Sequence, residues 1–224
     1  YALYLTQDFL QKKYPCKGVT LGCSDVVISD ITEETLIKRI ERINKVNNQD
    51  IIVVGLIGSL DVDYKGHKTA IKAISRLRKN GYEVRLRILG TGDKSRWVKL
   101  ARRLKVVDNI EFCGILPSGE PVLQWLDNID IYIHPSKTEG LPRSIVEAMS
   151  RACPVLATNV GGIPELINSS CIFEVNDYKT LATKISVLIE NKEQLVKLSE
   201  NNFQSSKSFI KDNPEFINAL IEKL

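Results

Sequence analysis

The chain has 224 residues, 43% of them hydrophobic, and a formal net charge of +4. That content can bury a substantial core, and it fits one ordinary domain with appendages better than two full domains or a disordered chain. No stretch approaches the roughly 20 apolar residues that cross a bilayer, no signal-peptide pattern opens the chain, and five irregularly spaced cysteines (Cys16, Cys23, Cys113, Cys153, Cys171) without a C-x-x-C pair suggest neither a zinc site nor a complete disulfide framework.

These cysteines read as reduced, mostly buried thiols of a cytoplasmic protein. Residues 1–30 carry short apolar clusters interrupted by Tyr14-Pro15 and Lys17-Gly18, too little to bury a core of their own. They are expected to expose apolar surface and pair with a neighbour, or to be poorly ordered, as is the last helix. Residues 31–50 read as a linker segment: Thr32 to Val46 is a capped amphipathic helix with Leu36, Ile37, Ile40 and Ile43 on one stripe, and polar Asn47 to Asp50 follows.

From Ile51 to Ile189 apolar runs of strand length alternate with helical patterns, the signature of successive βα units. The strands expected are Ile51–Ile57, Glu83–Leu89, Asn109–Cys113, Ile129–His134, Pro154–Ala157 and Cys171–Val175. Helical patterns start near Gly66, Asp93, Glu120, Pro142 and Pro164, with Asp93 as an N-cap and Pro121, Pro142 and Pro164 near first turns. The densest positive charge (Lys94, Arg96, Lys99, Arg102, Arg103 and Lys105) falls within one of these helices. A solvated face accounts for it. A docking surface for anionic headgroups at the inner face of a membrane is the other reading, whereas nucleic-acid binding lacks interleaved aromatic residues. After a domain spanning 51–205, a final helix is expected in 206–224, from Phe209 to Leu224, broken or restarted at Pro214.

Six such strands predict an α/β fold, a Rossmann-like doubly wound six-stranded parallel sheet, rather than an eight-unit barrel. In the common order 3-2-1-4-5-6, strands one and four are neighbours at the switch point. Their C-terminal loops, Gly58–Gly66 and His134–Leu141, then open into one crevice.

In that crevice the segment His134 to Ile167 is the informative one. A helix beginning near Pro142 leaves the amides of Gly140, Leu141 and the residues up to Ser144 unpaired, and its dipole favours a pyrophosphate there. Glu147, about one turn inside the helix, can accept two hydrogen bonds from a ribose diol. Glu139 would sit beyond the phosphates, beside the transferred group. Lys65 can reach the same crevice and neutralise phosphate oxygens, and Gly58 permits close backbone approach.

The pair Glu139/Glu147 in E-x7-E spacing, the surrounding PSKTEGLPRSIVEAM, the following PVLATNVGGIPELI and the upstream IGSLDVDYKGHKTAIKAI, ILGTGD and IEFCGIL resemble the C-terminal, donor-binding domain of group 1 (family 4) retaining glycosyltransferases over roughly residues 51–190. The resemblance implies the C-terminal half of a GT-B fold. It implies donor-sugar contact for Glu139, ribose binding for Glu147, pyrophosphate contact for Lys65, and backbone contacts to sugar hydroxyls from Gly140-Leu141. The activity implied is sugar transfer, with retention, from a nucleoside-diphosphate donor to a carbohydrate or lipid-linked acceptor in surface polysaccharide or glycolipid synthesis. Front-face attack, with the leaving phosphate helping as base, is the family's picture.

Residues 1–30 resemble the tail of the family's N-terminal acceptor domain, whose other roughly 150 residues would lie upstream, so the fragment alone is expected to be inactive. No Asp-x-Asp or His cluster marks the crevice, and no metal or cofactor is expected beyond the nucleotide sugar as substrate. Ser59 stands where many relatives place an arginine, which at about 1.5–3 kcal/mol for a charge-assisted hydrogen bond weakens the donor site, and Ala152 replaces a common glycine. The other readings are an epimerase or phosphorylase of GT-B type, or a non-catalytic nucleotide-binding module.

Several residues carry blander readings. His134 either fixes its loop or contacts the donor. His67 reads as surface, Gly90-Thr91-Gly92 as a tight turn away from the switch point, Gly161-Gly162 as a turn before a helix, Glu165 as carrying no role, and Trp97 and Trp125 as packing residues.

Overall fold

The computed structural model describes residues 2–22, 26, 28, 31–47 and 50–221, with 208–221 as backbone alone. Cys23, Asn48 and Gln49 lie outside the described residues. The chain opens with β1 (Ala2–Tyr4), α1 (Phe9–Lys13) and β2 (Thr20–Gly22), in which β1 and β2 pair in parallel as a small separate sheet. Leu3, Tyr14 and Val19 are each at least half exposed, as expected of this segment. There follow α2 (Glu33–Lys45), β3 (Ile52–Ile57), α3 (His67–Lys79), β4 (Val84–Leu89), α4 (Ser95–Arg103), β5 (Ile110–Phe112), α5 (Glu120–Asp127), β6 (Ile131–His134), α6 (Arg143–Ser150), β7 (Val155–Thr158), α7 (Ile163–Leu166), β8 (Ile172–Phe173), α8 (Tyr178–Glu190) and α9 (Lys192–Ile221).

The second sheet has six parallel strands in the order β5-β4-β3-β6-β7-β8, which is the 3-2-1-4-5-6 order read from the sequence. Leu56, Ile88, Ile131, Tyr132 and Ile133 are fully buried at its centre. Near-continuous apolar strands of this kind need both faces covered. Here α3 packs with α4 and α8, and α6 with α5 and α9. Trp97 and Trp125 are buried, as expected of packing residues.

Two expectations at the flanks are corrected. The last helix begins at Lys192 instead of Phe209, and its backbone stays helical through Pro214. Leu195, Leu198 and Phe203 are buried, and the helix packs against α2 and α6, because its first half carries an apolar stripe of its own. The expected Leu36/Ile37/Ile40 stripe of α2 is rotated. Thr35, Arg39 and Ile43 are the buried residues, while Ile37 is 55% exposed. Finally α8, for which the sequence pattern marked no start, is capped by Asp177, whose carboxylate accepts the amides of Lys179 (3.1 Å) and Thr180 (3.0 Å).

Two backbone details explain the rotation of α2 and the end of α6. Arg39, 3% exposed, donates to the carbonyls of Leu126 (2.9 Å), Ile129 and Arg151 (3.2 Å), satisfying the end of α5 and the turn after α6. Ala152 follows α6 with φ +51, the left-handed conformation that glycine adopts without strain, which is a physical reason for glycine at this position.

Arg39→Leu removes the charged donor from the carbonyls of Leu126, Ile129 and Arg151, a hydrogen bond to a charged group being worth about 1.5–3 kcal/mol. Urea unfolding is expected to show a loss of at least about 2 kcal/mol; a loss indistinguishable from zero would mean that water reaches these carbonyls.

Candidate functional site

β3 and β6 are neighbours, with Val54 opposite Ile131 and Gly55 opposite Tyr132, so the loops leaving their C-terminal ends meet. They meet closely. Gly66, at φ +76 just before α3, lies against the Pro135 backbone, where a Cβ would collide with the Pro135 carbonyl oxygen. The Lys137 amide donates to the Tyr64 carbonyl (2.7 Å), and the side chains of Lys137 and Asp63 pair. From the other side, the buried Thr158 hydroxyl at the end of β7 sits 2.6 Å from the Ser136 carbonyl.

This apposition brings Glu139, Lys65 and His134 together. Glu139 Oε1 is 2.7 Å from Lys65 Nζ and 2.8 Å from His134 Nε2, and Ser136 Oγ lies 3.2 Å from the same His134 nitrogen. Burial alone would push the Glu139 carboxyl up, but hydrogen bonds from His134, Lys65 and Ser136 outweigh it and hold the group at about 2. Burial also pushes His134 down, so its imidazole is neutral at pH 7. The tautomer protonated at Nε2 then donates to Glu139 and leaves Nδ1, 3.3 Å from the Tyr132 hydroxyl, as an acceptor. His134 thus fixes the loop by holding Glu139.

Glu147 sits one turn into α6, half-buried, and its carboxylate has no hydrogen-bond partner among the described residues. Burial raises its pKa, opposed by Arg143. Glu147 and Glu139 both act on the buried Tyr132, whose pKa is raised first by burial and then by each carboxylate. Between them, Pro142 is the N-cap of α6, and the amides of Gly140, Leu141, Arg143 and Ser144 meet no acceptor among the described residues. Leu141 turns its side chain into the core, and a Cβ on Gly140 would meet open space.

The other expected residues are placed as follows. Gly58 lies beside the stem of Lys65, to which a Cβ would come within 3.0 Å, so this glycine makes room for that lysine. Ser59 turns inward, its hydroxyl accepting the Asp61 amide (3.3 Å). Gly90-Thr91-Gly92 is not apart from the switch point: Leu60 donates to the Thr91 carbonyl (2.7 Å), and a Cβ on Gly92 would lie 2.5 Å from the Asp61 carboxylate. His67 is fully buried instead of exposed, stacked on Trp97 at 5.0 Å, and burial lowers its pKa to about 4. Its position in the first turn of α3, directly after the left-handed Gly66, turns it inward. Gly161-Gly162 is more than a turn, since Gly162 donates to the Gly140 carbonyl (2.7 Å).

The family profile described as Glycosyl transferases group 1 matches residues 51–191, the stretch that carries both loops and α6. The chain belongs to that family. It is 36% identical to Protein CapJ of Staphylococcus aureus over 99% of this chain and 54% of that protein. It is also 36% identical to the putative colanic acid biosynthesis glycosyltransferase WcaL of Escherichia coli, over 54% of this chain and 32% of the relative. The chain thus spans about half the length of the curated relatives it matches over most of its own. Among solved structures, Anabaena Alr3699/HepE, in complex with UDP and glucose, superposes with a TM-score of 0.79 at 20% identity, covering 99% of this chain and 62% of that one. The six-stranded domain of this group 1 glycosyl transferase is accordingly the Rossmann-like C-terminal half of the GT-B architecture.

A carboxyl depressed from 4.5 to about 2 contributes stability that is complete above pH 4.5 and is lost as pH falls toward 2. The difference in unfolding free energy between wild type and Glu139→Gln, followed by denaturant titration, is expected to be constant above about pH 5 and to shrink below about pH 4.5. A difference that grows on acidification contradicts the ionised Glu139.

Proposed function

We propose that this chain binds a nucleoside-diphosphate sugar at the start of α6, and that the protein transfers the sugar, with retention, to a hydroxyl of a carbohydrate or lipid-linked acceptor in polysaccharide or glycolipid synthesis. The observation that carries the reading is the Lys65–Glu139 pair at the switch point, beside amides (Gly140, Leu141, Arg143, Ser144) that meet no acceptor among the described residues and open α6, the helix that carries Glu147. Family membership, the colanic acid relative and the UDP and glucose held by the Anabaena protein support it.

In this reading the diphosphate takes the amides at the N-terminus of α6, where the helix dipole favours negative charge. Lys65 turns from Glu139 toward the phosphate oxygens as charge develops on the leaving group. Glu147, which has desolvation to offset and no hydrogen-bond partner among the described residues, accepts the ribose hydroxyls. Glu139, held ionised at about 2, is a weak base at neutral pH, and it acts as an acceptor for donor-sugar hydroxyls. Weak basicity there supports proton removal by the departing phosphate, the route the family resemblance implies.

Calorimetric titration with UDP-, GDP- and ADP-sugars tests the reading. One donor is expected to bind, and Glu147→Gln, which loses a charge-assisted hydrogen bond, is expected to weaken it about tenfold or more. Equal binding by wild type and mutant removes the ribose assignment; conversion of the sugar by the intact protein without acceptor selects an epimerase.

A further inference from the structure

Residues 2–14 meet the domain at the segment following β7. The Glu165 carboxylate, in α7, accepts the amides of Gln7 (2.6 Å), Asp8 (3.2 Å) and Phe9 (2.7 Å). These amides open α1 and have no intrahelical acceptor. The division of labour suits a carboxylate: Oε2 takes Gln7, and Oε1 takes Asp8 and Phe9. Beside them Thr6 is 2% exposed, its hydroxyl accepts the Leu10 amide (2.7 Å), and its methyl lies where a Cβ on Gly162 would come within 2.5 Å.

The same segment also meets the loop that presents Glu139, since a Cβ on Gly162 would come within 3.1 Å of the Gly140 carbonyl oxygen as well as against Thr6. The Gly162 amide donates to the Gly140 carbonyl (2.7 Å). Gly161, at φ +60, is so close to the Glu139 backbone that a Cβ would collide with its carbonyl oxygen. Gly161–Glu165 therefore contacts both the start of α1 and the Glu139–Leu141 backbone. Close-packed backbone without slack transmits displacement instead of absorbing it.

We propose that Glu165 is a positioning residue that clamps the start of α1 to Gly161-Gly162 and thereby sets the Glu139–Leu141 backbone against the donor. Movement of the β1–β2 sheet is then coupled to the donor loop. The functional half of this inference rests on the donor-site reading above; the mechanical half stands on the contacts alone.

The test compares wild type, Glu165→Ala and Glu165→Gln by amide hydrogen exchange and by calorimetric titration with UDP and GDP. Glu165 is exposed, so both variants are expected to fold. In Glu165→Ala, exchange is expected to speed up at 7–9 and also at the Gly162 amide, which the Gly140 carbonyl protects, with Kd raised about fivefold or more. Glu165→Gln, with one acceptor oxygen left, is expected to fall between. Faster exchange confined to 2–14, with Kd unchanged, overturns the clamp. If wild type binds neither diphosphate, only an adenosine diphosphate donor is left to the donor-site reading, and exchange at the Gly162 amide alone decides the clamp.

Discussion

The crevice exists because two loops approach more closely than any side chain would allow. Gly66 lies on the Pro135 carbonyl, at φ +76, and from that apposition follow the hydrogen bond of Lys137 to Tyr64, the pairing of Asp63 with Lys137 and the reach of Lys65 to Glu139. The parallel order of the sheet places the loops side by side; the glycine closes the remaining gap. A side chain there would push Lys65 away from Glu139, and the charge balance of the site would change with it.

That balance is the second constraint. Glu139 is buried enough to raise its pKa, yet three polar neighbours keep it ionised. A buried ionised acid is costly unless its hydrogen-bonding capacity is filled. His134 fills part of it permanently, being neutral and fixed between Tyr132 and Glu139. Lys65 fills another part and carries the only charge in the trio that can be shared with an incoming anion. Glu147, by contrast, has no hydrogen-bond partner among the described residues, and burial raises its pKa against the charge of Arg143 alone. Two acids of identical chemistry are thus prepared for different tasks by what surrounds them.

The strands and the helix start at Pro142 were legible in the sequence because they depend on local signals, and six βα units admit the common order that sets β3 beside β6 and Lys65 against Glu139. What was not legible depends on contacts between distant segments. Nothing local distinguishes Glu165 from a solvated acid, since its partners are amides more than 150 residues earlier. His67 lies beside Lys65 and Lys68 in a polar-looking stretch, and only the left-handed Gly66 turns it inward. The stripe of α2 was misread because Arg39, a charged residue, occupies the buried face by satisfying three carbonyls, which a hydrophobic pattern does not register. Gly161-Gly162 did carry a signal: consecutive glycines before a helix mark close backbone approach as readily as a turn.

The most direct measurement is a crystal structure with UDP or GDP bound, whichever the protein takes. Density for the two phosphates is expected within hydrogen-bonding distance of the Gly140–Ser144 amides, with the Lys65 ammonium moved toward them and the ribose on Glu147. Phosphates seated elsewhere, with Lys65 still on Glu139 and the start of α6 facing solvent, would contradict the account.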